Sequence, residues 1–535
     1  MKRSIYAFLL IVALSNFGLA QKDARELWLV RSQNITNDLL KDAADLSSMQ
    51  RAVLWVKLGQ RWWREDPTRA RSWITNAIEV VEQVPNKENP DERNERLETA
   101  RILLTIVTPL DEKLAKRLLT VMSSDKSTDD DRSAAANALI DAASGVVQKD
   151  PKRAGELVAQ ALRTGTPNND MHQLFYAIRT YDPKLADSLF VQALALVRKD
   201  SHDRLLNSLL YVAFPALRGQ GDDVPAPPDS LRIELLQILL DSLNARPVGG
   251  GNSNCGLVSW IAQFFSEIER LLPKQGLVLR QAINTCHVAW PVAQQRMEEV
   301  TQTQPLDTVE SLLKAAADAK DTEVRTDYQY RAANLAVEHK DYERAIKLLE
   351  DIPKDVRGES WDSYRWQWAS DGAIEHYKNS RFREMNLMLD AVPSDFQPLA
   401  KASFVYWLPE KAGGETGPII QILNDAIKGL PRSNIPEWDK YYWYFSLLHS
   451  TVKYQPADAN AALKDAIASL NKVKDLPQLD TNNYLNYIGP PLLEMDEFVV
   501  KDALASITQA QPRAQLRLAL LDATLQRLRT TTSRN

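Results

Sequence analysis

Six histidines, two cysteines and thirteen tryptophans are the residues of this 535-residue chain that could do the most chemistry. Spacing decides what that chemistry can be. No two of His172, His202, His287, His339, His376 and His449 stand at metal-ligand spacing, so no metal site is expected. Cys255 and Cys286 form no C-x-x-C motif, which argues against a catalytic thiol pair. Gly249-Gly250-Gly251 lacks the Lys-Ser/Thr that a phosphate cradle needs. There is no G-x-S-x-G and no H-E-x-x-H. The 70 acidic residues produce every helical spacing by chance, so no carboxylate pair stands out. The expectation is a chain that is not an enzyme, with no catalytic residues and no cofactor.

The tryptophans offer binding chemistry instead. Trp361, Tyr364 and Trp368 fall on one helical stripe, with Trp366 pointing elsewhere. Trp438, Tyr441, Tyr442 and Phe445 share another side, with Trp443 and Tyr444 off it, and Trp62-Trp63 is a third cluster. Stripe residues are expected to fill the core. Trp63, Trp366 and Trp443 are the candidates for an exposed partner-binding surface, because flat rings give large contact area at little entropic cost.

The elements that must position these rings announce themselves in a repeated phrase. Asp-Pro-x-x-Ala occurs as Asp66-Pro67 with Ala70, Trp73, Ile74 and Ala77. It returns at Asp150 (Ala154, Leu157, Val158, Ala161) and at Asp182 (Ala186, Leu189, Phe190, Ala193). Asp111 opens the same phrase, with Glu112 replacing proline before Ala115, Leu118, Leu119 and Met122. Aspartate is a strong N-cap and proline suits the first helical position. The small and apolar residues then line one helix face. Two further units start at Asp341 and Arg381, and Gln455-Pro456 resembles a later copy. Intervals of roughly 32 to 45 residues suit a helix–turn–helix unit.

One unit is more specific. Trp55-x-x-Leu58-Gly59-x-x-Trp62 resembles the first helix of a tetratricopeptide repeat, and Ala70, Ile74, Ala77 and Pro85 resemble its second helix. The stretch from Asp327 to Pro353 is similar, with Ala333, Ala336, Tyr342, Ala345 and Leu349 in the same relative places. The resemblance implies an all-α fold: a right-handed superhelix of helix hairpins with a helical C-terminal cap. It also implies a long concave surface that holds a protein or peptide.

Residues 1–20 read as a cleaved signal peptide: Lys2 and Arg3, an apolar run from Ile5 to Leu14, then Gly18-Leu19-Ala20. No cysteine follows to carry a lipid. No later run is long enough for a membrane span. The chain is therefore expected to be secreted or periplasmic, which makes Cys255 and Cys286 a candidate disulfide rather than two buried thiols. Such a bridge would contribute about 3–4 kcal/mol in the entropic account. A net charge of −5 gives no reason to expect nucleic acid. Asn34-Ile35-Thr36 fits a glycosylation acceptor.

The loop-like GQGDDVPAPPDS (219–230) and RPVGGGNSNCG (246–256) flank an apolar helix at 231–243. They divide the chain into a repeat array at 21–225, an irregular middle at 226–305, and a second array with its cap at 306–535. In that cap two closing helices are expected either side of Gln511-Pro512. The leading expectation is an exported scaffold for a protein or peptide partner. One alternative is a glycan-binding protein, since exported helical-repeat proteins that capture starch are similar in size and aromatic content, though usually lipid-anchored. The other is an α-helical carbohydrate-active enzyme, although the Glu-Ser motif of peptidoglycan-cleaving superhelical enzymes is not evident.

Overall fold

The computed structural model describes residues 25–83, 90–122, 129–199, 203–214, 226–244, 258, 261, 264–285, 308–319, 322–353, 360–408, 416–433, 435–473 and 484–532. Residues 1–20, read above as a signal peptide, and both Cys255 and Cys286 lie outside them. Among the described residues the fold is all-α, with no strand. None of its helices is long and apolar enough to cross a membrane.

Two compact units divide the chain: Ser47–Glu299, and Met1–Leu46 together with Val300–Asn535. The first unit runs α2 (Ser48–Trp62), α3 (Pro67–Gln83), α4 (Pro90–Val107), α5 (Glu112–Met122), α6 (Asp129–Val146) and α7 (Pro151–Thr164). It continues with α8 (His172–Tyr181), α9 (Pro183–Lys199), α10 (Asp203–Ala213), α11 (Asp229–Asn244), α12 (Phe265–Leu271) and α13 (Pro273–Thr285). The second unit holds α1 (residues 25–42). Its array begins with α14 (Val309–Asp318), α15 (Thr322–Glu338), α16 (Tyr342–Glu350), α17 (Ser360–Lys378), α18 (Phe382–Asp390) and α19 (Gln397–Trp407). It closes with α20 (Thr416–Gly429), α21 (Glu437–Tyr454), α22 (Ala459–Leu470), α23 (Gly489–Leu493), α24 (Glu497–Ala505) and α25 (Ala510–Thr532).

Helices pack in adjacent pairs, among them α2 with α3, α6 with α7, α17 with α18 and α21 with α22. First helices also meet across pairs: α2 with α4, α4 with α6, α17 with α19, and α19 with α21. The repeated phrase marks the second helix of a pair. Its aspartates cap as the spacing predicts: the Asp66 carboxylate accepts the Arg69 amide at 3.0 Å, Asp150 that of Arg153 at 2.9 Å, and Asp182 that of Leu185 at 3.1 Å. Asp111 accepts the amides of Lys113 and Leu114. The alanines that follow, Ala70, Ala154 and Ala186, are completely buried.

The 40-residue repeat of the second array is visible in the backbone. Lys340 and Ser380 both turn through positive φ, 61° and 58°. Each precedes a residue whose amide reaches back five places, Asp341 to Ala336 and Arg381 to His376. Asp341 caps α16, whereas Arg381 supplies no side-chain cap to α18. At Gln455-Pro456 the copy departs further. Gln455 offers no side-chain cap, so a 3-10 turn over Pro456–Asp458 intervenes before α22 starts.

Close approach is the reason for Gly59. A Cβ there would stand 2.5 Å from Ile74 Cγ1 and 2.9 Å from the Ala70 carbonyl oxygen. Side-chain hydroxyls mark a similar approach of α17 to α19, where Ser370 donates to Ser403 at 3.0 Å in the interior.

The cap differs from expectation. Pro512 does not separate two helices but lies in the first turn of α25, where a missing N–H costs nothing. The last helix also receives α1, from the far end of the sequence. Asp42, a buried carboxylate, pairs with Arg513 Nε at 2.9 Å and with Arg517. Arg513 also reaches Asp45 at 2.7 Å, and Arg31 stands 3.3 Å from Glu497. The Asn34-Ile35-Thr36 acceptor lies within α1, not on a loop. Thr36 is fully buried and its hydroxyl donates to the Ser32 carbonyl at 2.8 Å.

Two outcomes are expected. Gly59→Ala should destabilise the first unit by about 1–3 kcal/mol through overpacking, although alanine is the better helix former. A urea midpoint that falls with unchanged slope reads this, and an unchanged midpoint would remove the close-approach account. Asp42→Ala leaves two poorly exposed guanidinium groups without their shared carboxylate and should cost about 3 kcal/mol. Limited proteolysis should then cut within α1 before the rest of its unit; equal protection in both proteins would contradict it.

Candidate binding surfaces

Aromatic residues gather on the first helices α17, α19 and α21. Trp366 of α17 meets Trp443 of α21 edge to face, with ring centres 5.3 Å apart at 89°. Trp443 in turn stands against Tyr442 at 5.1 Å. On α19, Tyr406 contacts Trp407 at 4.9 Å and His449 of α21 at 5.7 Å, both edge to face. Perpendicular rings place a positive edge on a negative face, the arrangement such quadrupoles prefer. Burial, chiefly, pushes the Tyr442 phenol upward, with the nearby Tyr406 adding to it. Burial does the same to Tyr441 and Tyr444.

Exposure sorts these rings differently from the helical phase. Trp443 is only 6 % exposed, so it is a core residue and not the surface ring that its off-stripe position suggests. The reason is that α21 touches α19, α20, α22 and α23, and is covered on several faces. Trp366 is half-buried and packed against the core. Trp63, in the other unit, is also half-buried, with the Arg71 guanidinium 5.9 Å from its ring centre. Trp368 is buried as its stripe predicts, but Tyr364 on the same stripe is exposed.

Among the described residues the tryptophan that faces solvent is Trp407, 62 % exposed at the end of α19. Its signal in the sequence is weak, a lone Tyr-Trp pair outside the three clusters. From Trp407 the series runs through Tyr406 to His449, and His449 lines an open groove of about 640 Å³. Pro456, Pro490, Pro491 and Met495 form its apolar walls, with Lys453 and Glu494 beside them. Prolines and a methionine around an aromatic border suit an apolar segment of a partner.

A second cluster has the right atoms for hydrolysis in the wrong order. Asp170 of the loop before α8, His172 at the start of α8 and Ser208 of α10 come together. The Ser208 hydroxyl donates to Asp170 Oδ1 at 3.2 Å, and the same oxygen meets His172 Nδ1. His172 Nε2 faces the Gln173 amide at 3.1 Å. A nucleophilic serine must give its proton to the imidazole, but here serine and histidine both serve the carboxylate. Burial raises the Asp170 pKa, yet the hydrogen bonds from His172 outweigh it and hold the carboxyl below its ordinary range. The cluster ties α8 to α10. Among the described residues no three His, Cys, Asp or Glu side chains are placed to hold a metal ion.

No protein-family model matches the chain, and no curated protein is similar enough to it to count as a relative.

Proposed function

We propose that this chain is an exported, non-catalytic scaffold that holds a protein or peptide partner. In this reading its paired helices wind into a right-handed superhelix similar to tetratricopeptide arrays, closed by α23–α25. The observation that carries it is Trp407: a largely exposed tryptophan that continues, through Tyr406 and His449, into a groove walled by prolines and Met495. Tryptophan is enriched among the residues that dominate the energetics of interfaces. Export rests on the basic, apolar and small-residue order of residues 2–20.

The same rings favour a peptide over a glycan. Tyr406 stands at 81° to Trp407 and at 70° to His449, so the series offers alternating faces and edges. A sugar chain stacks best on rings whose faces line up.

The native exported fraction tests the reading. A partner in stoichiometric amount should be retained by the wild-type chain and weakened about tenfold or more by Trp407→Ala, a loss of roughly 1.4 kcal/mol or above. Retention of a polysaccharide instead, or the same partner held equally by Trp407→Ala, would overturn it. Turnover of any substrate, abolished by one carboxylate substitution, would make the chain an enzyme.

A further inference from the structure

The first unit has an open groove of about 610 Å³ whose floor is polar and whose charged side chains, Arg101, Glu98 and Asp141, are paired with one another. It lies over α4, α6 and the loop between α7 and α8. Arg101 of α4 sends Nη1 to Asp141 of α6 at 2.6 Å. Its Nε and Nη2 go to the two Glu98 oxygens at 2.9 and 2.5 Å. The guanidinium is thus shared between two carboxylates, which hold its proton more firmly than usual. Burial, the largest influence, pushes the Asp141 carboxyl upward against the pull of Arg101 and Asn169.

The hydrogen-bonding groups left for a ligand are uncharged amides. Asn137 Oδ1 accepts two backbone amides, of Asn168 at 2.7 Å and Asn169 at 3.2 Å. That double contact fixes the amide's orientation, leaving its Nδ2 as a donor for the groove. Asn169 is fixed the opposite way. Its Nδ2 donates to Asp141 Oδ1 at 2.7 Å, which leaves its Oδ1 as an acceptor. Both asparagines line the groove and are part-exposed. One oriented donor and one oriented acceptor on the same wall complement the C=O and N–H of a single residue in an extended peptide, which face the same side.

The geometry points to a sequence-tolerant backbone-binding site here, in which Asn137 Nδ2 donates to a peptide carbonyl and Asn169 Oδ1 accepts a peptide N–H. The inference rests on the peptide-binding reading above and adds a second, side-chain-independent contact to it. A saccharide fits less well, because no aromatic ring lines this groove to stack on a sugar. Anions are disfavoured by Glu98 and Asp141, which outnumber Arg101.

The test uses the full mature chain and a fluorescein-labelled, end-capped nonapeptide pool built from Gly, Ala, Ser and Thr. A second pool is N-methylated at alternate residues. Fluorescence anisotropy should show saturable binding of the first pool and none of the second. Asn137→Asp keeps the oxygen that accepts the Asn168 and Asn169 amides but replaces the groove donor with an acceptor. It should melt like the wild type and bind the pool about tenfold more weakly; Asn169→Ala should also lose affinity. Trp407→Ala, in the other unit, should bind this pool unchanged. Equal binding of the methylated pool, or no effect of Asn137→Asp, would overturn the inference. So would displacement by cellohexaose or chitohexaose, or no binding of either pool. If the native partner is still captured through Trp407 in those cases, the scaffold reading survives without this site.

Discussion

The fold depends on how closely two helices of a pair can approach. At α2–α3 the backbone of one helix lies almost against the other, with Gly59 facing the Ala70 carbonyl and Ile74. At α17 a Cβ on Gly372 would stand 2.6 Å from Met388 and 3.0 Å from the Tyr342 Cβ, so α17 is held between α16 and α18. Small residues at these contacts let larger ones interlock around them, at a packing density that tolerates little change. Each aspartate cap then fixes where its helix starts, and so which alanine meets the partner. Capping contributes only about 1 kcal/mol per helix. Its greater effect is on register, because a helix begun one residue late would turn its alanine away from the partner.

That division of labour explains what was legible in the sequence. Second helices such as α5 bury one narrow stripe, Ala115, Leu118, Leu119 and Met122, and a narrow stripe gives a clear period. First helices lie between their own partner and neighbouring first helices. Thus α6 buries Ala135, Ala136, Ala138, Leu139, Ile140, Ala142 and Ala143, nearly all the way round. Such a helix has no single apolar face to read. The same smearing misplaces the aromatic residues. Trp443 is off the main stripe of α21 yet buried, because that helix is covered on several faces, while Tyr364 is on its stripe and exposed. Trp407 was invisible as a surface ring because it belongs to no cluster.

The joining of α1 to α25 was illegible for another reason. Asp42, Arg513 and Arg517 look like three solvated charges when read along the chain, since local pattern carries no information across more than 470 residues. Only the fold shows that one buried carboxylate serves two guanidinium groups. Charges shared in this way carry little net stabilisation by themselves, but removing one partner is costly. The pairing therefore acts mainly to specify that α1 packs on α25. Pro512 belongs to the same misreading. A proline near a helix start and a proline between helices look identical until the neighbouring backbone is placed.

The residues with chemistry to offer sit on first helices or on the loops beside them, and the physics of the pair accounts for that. A second helix spends its inward face on the alanine stripe and its first turn on the aspartate cap. A first helix meets its equivalents one repeat away, so side chains about 40 positions apart become neighbours, as Arg101 and Asp141 do. A repeat therefore builds polar and aromatic groupings from residues that no local motif joins. Their chemistry is of the kind packed helix pairs can hold steady: edge-to-face rings, shared guanidinium groups and amides oriented by their own hydrogen bonds. The Asp170–His172–Ser208 cluster follows the same rule. Its atoms are spent on each other, which stabilises the join of α8 to α10 and leaves no serine–imidazole contact for proton transfer.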